Sequence, residues 1–248
     1  MKRAMLILGA VALAACSPNP PQRAAGEAET TREWVRPPAV EAVERAGSTL
    51  KVSGVADPEG RVVLRGDDGA AFAATADSHG RFEVQVPAAA THRLLRPEAQ
   101  VGQDAAPSPD LLLILADQGP VAVLRSGGAT RRLDPAPALG AIDGDGRMRL
   151  ASGRVAAGTA VVEVQSGPET IHVTPDGAGR WSVILPARGG PDPIRVDGRE
   201  FVWPGEAAGA GSLTVEQMEG GWRIGWSGAG GARQTTWLPV RTVPGRGL

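Results

Sequence analysis

Few side chains in this sequence are of kinds that do chemistry, and their spacing decides what they can do. There is one cysteine, Cys16, and three histidines, His79, His92 and His172. The histidines are too far apart for a short zinc motif, and a lone cysteine cannot complete a sulfur-rich site. Asp143-Gly144-Asp145-Gly146 begins like a calcium loop, but the acid required at its twelfth position would be Arg154. A tight turn between modules is the reading that remains. Gly225-Trp226-Ser227-Gly228-Ala229 departs from G-x-S-x-G at its last place. No lysine follows Lys51, which removes an S-x-x-K nucleophile, and no phosphate-binding P-loop is present. Carboxylates are plentiful, yet no spacing selects a catalytic pair. No catalytic residue, metal or cofactor is expected, and the chain reads as a non-enzyme.

The tryptophans are the side chains best suited to binding. Five of the six lie beyond residue 180: Trp181, Trp203, Trp222, Trp226 and Trp237. An exposed indole can stack on a sugar ring or a partner protein, because its apolar face carries a polar N–H. Trp203, Trp222, Trp226 and Trp237 are therefore the candidate binding residues. The competing role is core packing. Trp222 and Trp226 would share a strand face with Ile224, and the similar hairpin earlier in the chain carries Val121 and Val123. Trp181 replaces Phe82 in a repeated motif and is expected in the core.

The elements that must position these residues are strands. Gly 34 and Pro 21 are high counts for a helical protein. After residue 47 short apolar runs alternate with Gly, Asp and Pro, the pattern of an all-β chain. The chain also repeats itself. Thr75, Asp77, Gly80, Arg81, Phe82, Val84, Val86 and Pro87 recur in order as Thr174, Asp176, Gly179, Arg180, Trp181, Val183, Leu185 and Pro186, each 99 residues on. Asp and Gly make a turn, the alternating apolar residues make a half-buried strand, and proline ends it. Ser53-Gly54 recurs as Ser152-Gly153 at the same offset. Each pair is followed by a glycine turn, around Gly60 and Gly158, and by a β-rich run, 61–65 and 160–165. More weakly, Leu111–Ala116 with Val121–Leu124, and Leu213–Met218 with Trp222–Trp226, both read as trailing hairpins.

This arrangement of a Ser-Gly pair, a glycine turn, a β run and D-x-x-G-R-[F/W] resembles bacterial Ig-like and prealbumin-like repeat domains. The residues that carry it are Ser53, Gly54, Gly60, Asp77, Gly80, Phe82 and Pro87 with their second copies, roughly 40 residues in each. The resemblance implies two tandem antiparallel Ig-like β-sandwich modules, of a kind that serve as spacers or interaction elements. The expected modules span 48–136 and 148–240, joined by a 137–147 linker and followed by a 241–248 tail.

The N-terminus, MKRAMLILGAVALAAC, places Lys2 and Arg3 before twelve apolar residues. A membrane-spanning helix needs about 20, so 1–15 has signal-peptide proportions. Leu13-Ala14-Ala15-Cys16 resembles the lipobox of bacterial lipoproteins. The resemblance implies cleavage before Cys16 and lipid on its thiol and new amine. Ser17 in the next position resembles the sorting pattern of outer-membrane lipoproteins, which implies an envelope location facing the periplasm. Residues 16–47 then read as a tether rich in Pro, Ala, Glu and Arg. If extended at roughly 3.1 Å per residue, it would reach on the order of 90 Å. The alternative is that Trp34-Val35 and the Val40–Val43 stretch dock onto the first module.

Formal charge is −1, and loss of Lys2 and Arg3 moves it to −3. No global basic field favours nucleic acid. The expected function is a non-enzymatic envelope lipoprotein with a structural or protein-interaction role. The alternative is a glycan-binding lipoprotein using the second module's tryptophans on peptidoglycan or exopolysaccharide. A third reading is a hydrolase with an unrecognised acidic site.

Overall fold

The computed structural model describes residues 35–240, apart from 89, 103, 189, 210, 211 and 229. Cys16, the signal peptide and most of the tether lie outside the described residues. The described chain is all-β and antiparallel, in sandwich modules. The first module holds β1 (Ala39–Ala46), β2 (Thr49–Val55), β3 (Arg61–Gly66), β4 (Ala71–Thr75), β5 (Arg81–Pro87), β6 (Arg93–Val101), β7 (Asp104–Pro107), β8 (Asp110–Ile114), β9 (Val121–Arg125) and β10 (Arg131–Arg132). The second holds β11 (Leu139–Gly144), β12 (Met148–Arg154), β13 (Val162–Ser166), β14 (Glu169–Val173), β15 (Arg180–Pro186), β16 (Asp192–Val196), β17 (Arg199–Trp203), β18 (Leu213–Met218), β19 (Gly221–Ser227) and β20 (Arg233–Pro239).

These strands form four sheets. The first is β1-β2-β5, and the second runs β10-β9-β8-β6-β3-β4 with β7 also on β6. The third is β15-β12-β11-β20-β19-β18 and the fourth β14-β13-β16-β17. Three apolar clusters fill the spaces between them. One joins the first and second sheets through Leu50, Val52, Phe82, Leu64, Leu95 and Leu112. Another joins the third and fourth through Ile142, Trp181, Leu185, Val164, Ile194 and Trp203. The last lies between the second and third sheets, where Leu111, Leu113 and Leu124 meet Ala141, Ile224, Trp226 and Leu238. The two sandwiches are thus fused face to face. Strands β8 and β9 are covered on both faces, which is why their sequences, Leu111–Leu115 and Val121–Leu124, lack polar alternation.

The 99-residue repeat is a repeat of structure. Strand β2 pairs β5 with Thr49 opposite Pro87 and Gly54 opposite Phe82. Strand β12 pairs β15 with Met148 opposite Pro186 and Gly153 opposite Trp181. The register shift of β1 between Val40 and Ala42 recurs in β11 between Leu139 and Ala141. In the turns, the Asp77 carboxylate accepts from the backbone N–H groups of His79 and Arg81 at 2.9 and 2.8 Å. Asp176 accepts from those of Ala178 and Arg180, both at 2.9 Å. These bonds, with Arg81 and Arg180 foremost, hold both carboxyls below the usual aspartate range.

The Ser-Gly pair has an equally local cause. A Cβ on Gly54 would lie 2.0 Å from the Ala39 carbonyl oxygen and 2.8 Å from the Phe82 ring. On Gly153 it would lie 1.9 Å from the Ala138 oxygen and 2.9 Å from the Trp181 ring. Glycine lets the bulged neighbour close in while an aromatic ring covers the gap. Gly153→Ala is therefore expected to cost about 1–3 kcal/mol, the usual range for overpacking. Gly177→Ala, which meets nothing within 4 Å, should stay within about 0.5 kcal/mol of the parent. Urea unfolding of the two variants checks this. Equal midpoints would show that the bulge relaxes freely.

Four sequence expectations are corrected by the strands. The segment 39–46, assigned to the tether, forms β1, and the 137–147 linker contains β11. Val40 is buried in the first core with Val43 packed against it, so the docking alternative describes this stretch. Strand β1 was hard to see because only Val40 along it is fully buried. The turn at Asp145-Gly146 is the β11–β12 hairpin, inside the second module and not between modules. There the Asp145 carboxylate accepts from the N–H groups of Arg147 and Met148. The trailing hairpins both form, but not in equivalent places. The first, β8–β9, joins the second sheet through β6, whereas β18–β19 joins the third sheet through β20 and β11.

Candidate interaction cleft

The four candidate tryptophans are not gathered on one surface. Trp203, Trp226 and Trp237 are 1%, 0% and 2% exposed. Trp203 and Trp237 fill the second sandwich, and Trp226 lies in the shared core between sandwiches. None of the three presents a ring face to solvent, so none can stack on a ligand in this fold. Trp222 is half-buried against the shared core, with its ring edge-on to His92 of the first module at 5.6 Å between centroids. The sharing of a face by Trp222, Ile224 and Trp226 follows the sequence reading. The aromatic excess of the second module went into packing: Trp181, Trp203 and Trp237 fill the second sandwich, and Trp226, with Trp222 at its margin, belongs to the shared core.

Among the histidines, His79 and His172 are exposed, the latter 3.7 Å from Glu163. His92 accepts a hydrogen bond on Nδ1 from the Ala116 N–H. Among the described residues no group of three or more His, Cys, Asp or Glu side chains is placed to hold a metal ion.

A cleft of about 1310 Å³ opens where the two sandwiches meet. Each of the four sheets contributes an end or edge strand to it. Strand β1 comes from the first sheet, β10 from the second, β15 from the third, and Val173 of β14 from the fourth. Edge strands carry a row of backbone N–H and C=O groups without ladder partners. Five arginines line the cleft: Arg125, Arg131 and Arg132 from the first module, and Arg154 and Arg180 from the second. Four carboxylates line it as well: Glu41, Asp110, Asp134 and Asp176.

Three of those carboxylates are ion-paired. Arg125 meets Asp110 at 3.2 Å, Arg180 meets Asp176 at 2.8 Å, and Arg132 forms a two-pronged pair with Asp134. Arg132 is also structural. Its side chain is 6% exposed and donates to the carbonyls of Gly140 and Pro239, which fastens the inter-module connection to β20. Arg131 donates to the outward carbonyls of Val40 and Glu41 and so caps the free edge of β1. Its guanidinium is held below the usual arginine range, first by burial, then by the charges of Arg125 and Arg180. Asp110 and Glu41 offset this only in part. Arg125 and Arg180, from different modules, therefore act on Arg131 as like charges around one space.

A second feature of the junction escaped the sequence reading. Asp143, read as a turn residue, is buried in β11. Its Oδ1 accepts from the hydroxyls of Thr130 and Thr236, both at 2.6 Å, and its Oδ2 accepts from the Thr130 N–H at 2.7 Å. Thr236 in turn accepts from the Trp226 indole N–H at 3.0 Å. Thr130 precedes β10 of the first module, so this network ties the sandwiches together. Burial pushes the Asp143 carboxyl up to about 6, although all three donors pull it down. An aspartate within a strand flanked by Ile142 and Gly144 was the only sequence signal.

No protein-family model matches the sequence, and comparison with curated proteins gives no match. Among solved structures, a chain of a 1.5-MDa bacterial ice-binding adhesin, described in connection with host cell surface retention, is similar at 14% identity. The alignment covers 82% of this chain and 63% of that one, less than two thirds of its length, with a TM-score of 0.25. Superposition at that score equates neither topology nor function.

Proposed function

We propose that this chain is a non-enzymatic lipoprotein of the bacterial cell envelope, whose fused double sandwich serves as a structural or protein-interaction element. The observation that carries the location is the run Leu13-Ala14-Ala15-Cys16 after a twelve-residue apolar segment. One acyl chain anchors only marginally, at about 0.8 kcal/mol per buried methylene, whereas several acyl chains hold a protein stably. Lipid on Cys16 would leave the sandwiches on the periplasmic side, most simply at the outer membrane. Cys16→Ser is expected to abolish incorporation of labelled fatty acid and to release the protein from the membrane fraction. Full retention of label by the variant would end the lipoprotein reading.

The non-enzymatic part is supported by how the junction spends its carboxylates. Asp110, Asp134 and Asp176 are each tied to an arginine in the cleft. Among the described residues the one carboxyl pushed upward, Asp143, is buried and surrounded by hydroxyl and amide donors, out of reach of a substrate. The glycan reading drew on four exposed indoles, and only Trp222 has any open surface. A fused double sandwich with an arginine-lined cleft favours binding to a partner protein.

A further inference from the structure

We infer that the cleft at the sandwich junction is a binding site for an extended acidic peptide segment of a partner protein, its main chain along the open edge of β15 and its carboxylates on Arg125, Arg131 and Arg180. The inference deepens the interaction role proposed above and takes only the compartment from it. The first support is shape. About 1310 Å³ exceeds the roughly 300–1,000 Å³ of small-molecule pockets, and edge strands β1, β10, β14 and β15 form part of the wall. Among the described residues β15 pairs on one side only, with β12; at its cleft end the outward N–H and C=O of Arg180 are taken by Asp176, so the edge is open from Ser182 onward. An extended peptide adds to such an edge through main-chain hydrogen bonds, and side-chain sites along the groove supply selectivity.

The second support is charge. Arg125 and Arg180 come from opposite modules, and their side chains are 53% and 58% exposed. Each spends its Nε on one aspartate, at 3.2 and 2.8 Å. A guanidinium offers five donors in a planar fork that suits carboxylates. Arg131 stands with them, already anchored to β1 by Val40 and Glu41. Acidic side chains entering here would relieve the mutual repulsion of the three cations. The site needs both modules, which gives the face-to-face fusion a purpose that either sandwich alone would lack.

The full-length protein in detergent, titrated against fluorescently labelled octaglutamate, tests this by polarisation. Saturable binding that weakens with added salt is expected. The double variant Arg125→Glu/Arg180→Glu should bind at least about tenfold more weakly, because two charge-assisted contacts are reversed. Arg61→Glu/Arg81→Glu makes the same charge change on exposed residues outside the cleft and should bind as the parent does. Circular dichroism melting confirms that the variants are folded. Equal loss in both double variants would reduce the effect to net charge and overturn the site. So would absence of octaglutamate binding, or binding of oligogalacturonate in its place, the latter assigning the cleft to an acidic glycan. Fatty-acid labelling of Cys16 is read separately, so failure of the cleft and failure of the envelope assignment are distinguishable.

Discussion

Trp226→Ala is expected to destabilise the whole protein by about 3–5 kcal/mol, the cost of removing a large aromatic from a closed core. The indole is fully buried between the sandwiches, with Ile224, Leu238, Leu113 and Leu124 in the same cluster. Its N–H is the outer link of the Asp143 network through Thr236. For a unit of about 200 residues this lowers Tm by on the order of 10 °C. The cluster belongs to both modules, so the parent should unfold in one transition and not two. Differential scanning calorimetry reads both points. Trp222→Ala, at a half-buried position, should shift Tm far less. If Trp226→Ala melted with the parent, the shared core would not be holding the sandwiches together. Two resolved transitions in the parent would say the same.

How much of this could be read from the sequence depends on the range of the interactions involved. The D-x-x-G-R turn and the strand after it were legible because their determinants are local. Asp77 and Asp176 bond backbone groups two and four residues on, and the strands alternate in plain view. The Ser-Gly pair was visible as a repeat, but its reason was not. The atoms that exclude a Cβ from Gly153 belong to Ala138 and Trp181, 15 and 28 residues away. The continuous run Leu111–Leu115 carried the signal for the shared core, since a strand with no polar alternation must be covered twice. What covers it could not be read, because the covering strands β19 and β20 lie about 100 residues later. The same distance misled the reading of the tryptophans. Their concentration in the second module is genuine, but it reflects two cores meeting there. The cleft was invisible for a related reason. Its arginines are scattered from Arg125 to Arg180, and only the packing of one sandwich on the other brings them around one space.

The buried carboxyl at that junction sets an unusual pH dependence. In the unfolded chain Asp143 titrates at its ordinary 3.8, and in the fold burial raises it to about 6. Between those values the folded state binds the extra proton, so stability falls as pH rises. The contribution is fully present below about pH 4 and is lost as pH rises through about 6. The difference between 3.8 and about 6 amounts to about 3 kcal/mol in all, of which about 1 kcal/mol lies between pH 7 and pH 5. The groups that reach the carboxylate are Thr130 and Thr236, which are neutral throughout. Asp77, Asp145 and Asp176 have carboxyls held low, chiefly by backbone hydrogen bonds, so they lose their stabilising charge only in stronger acid. Urea unfolding at pH 7 and pH 5, for the parent and for Asp143→Asn, isolates the effect. The difference between the two proteins cancels the histidines and every other group they share. The parent should gain about 1 kcal/mol more than the variant on acidification, since asparagine cannot take up the proton. Asparagine keeps an acceptor for the two hydroxyls but turns an amide donor toward the Thr130 N–H, so the variant's absolute stability mixes two opposing changes. The pH slope does not mix them. Parallel slopes in the two proteins would mean that Asp143 ionises as an ordinary carboxylate and that the sandwich junction admits water.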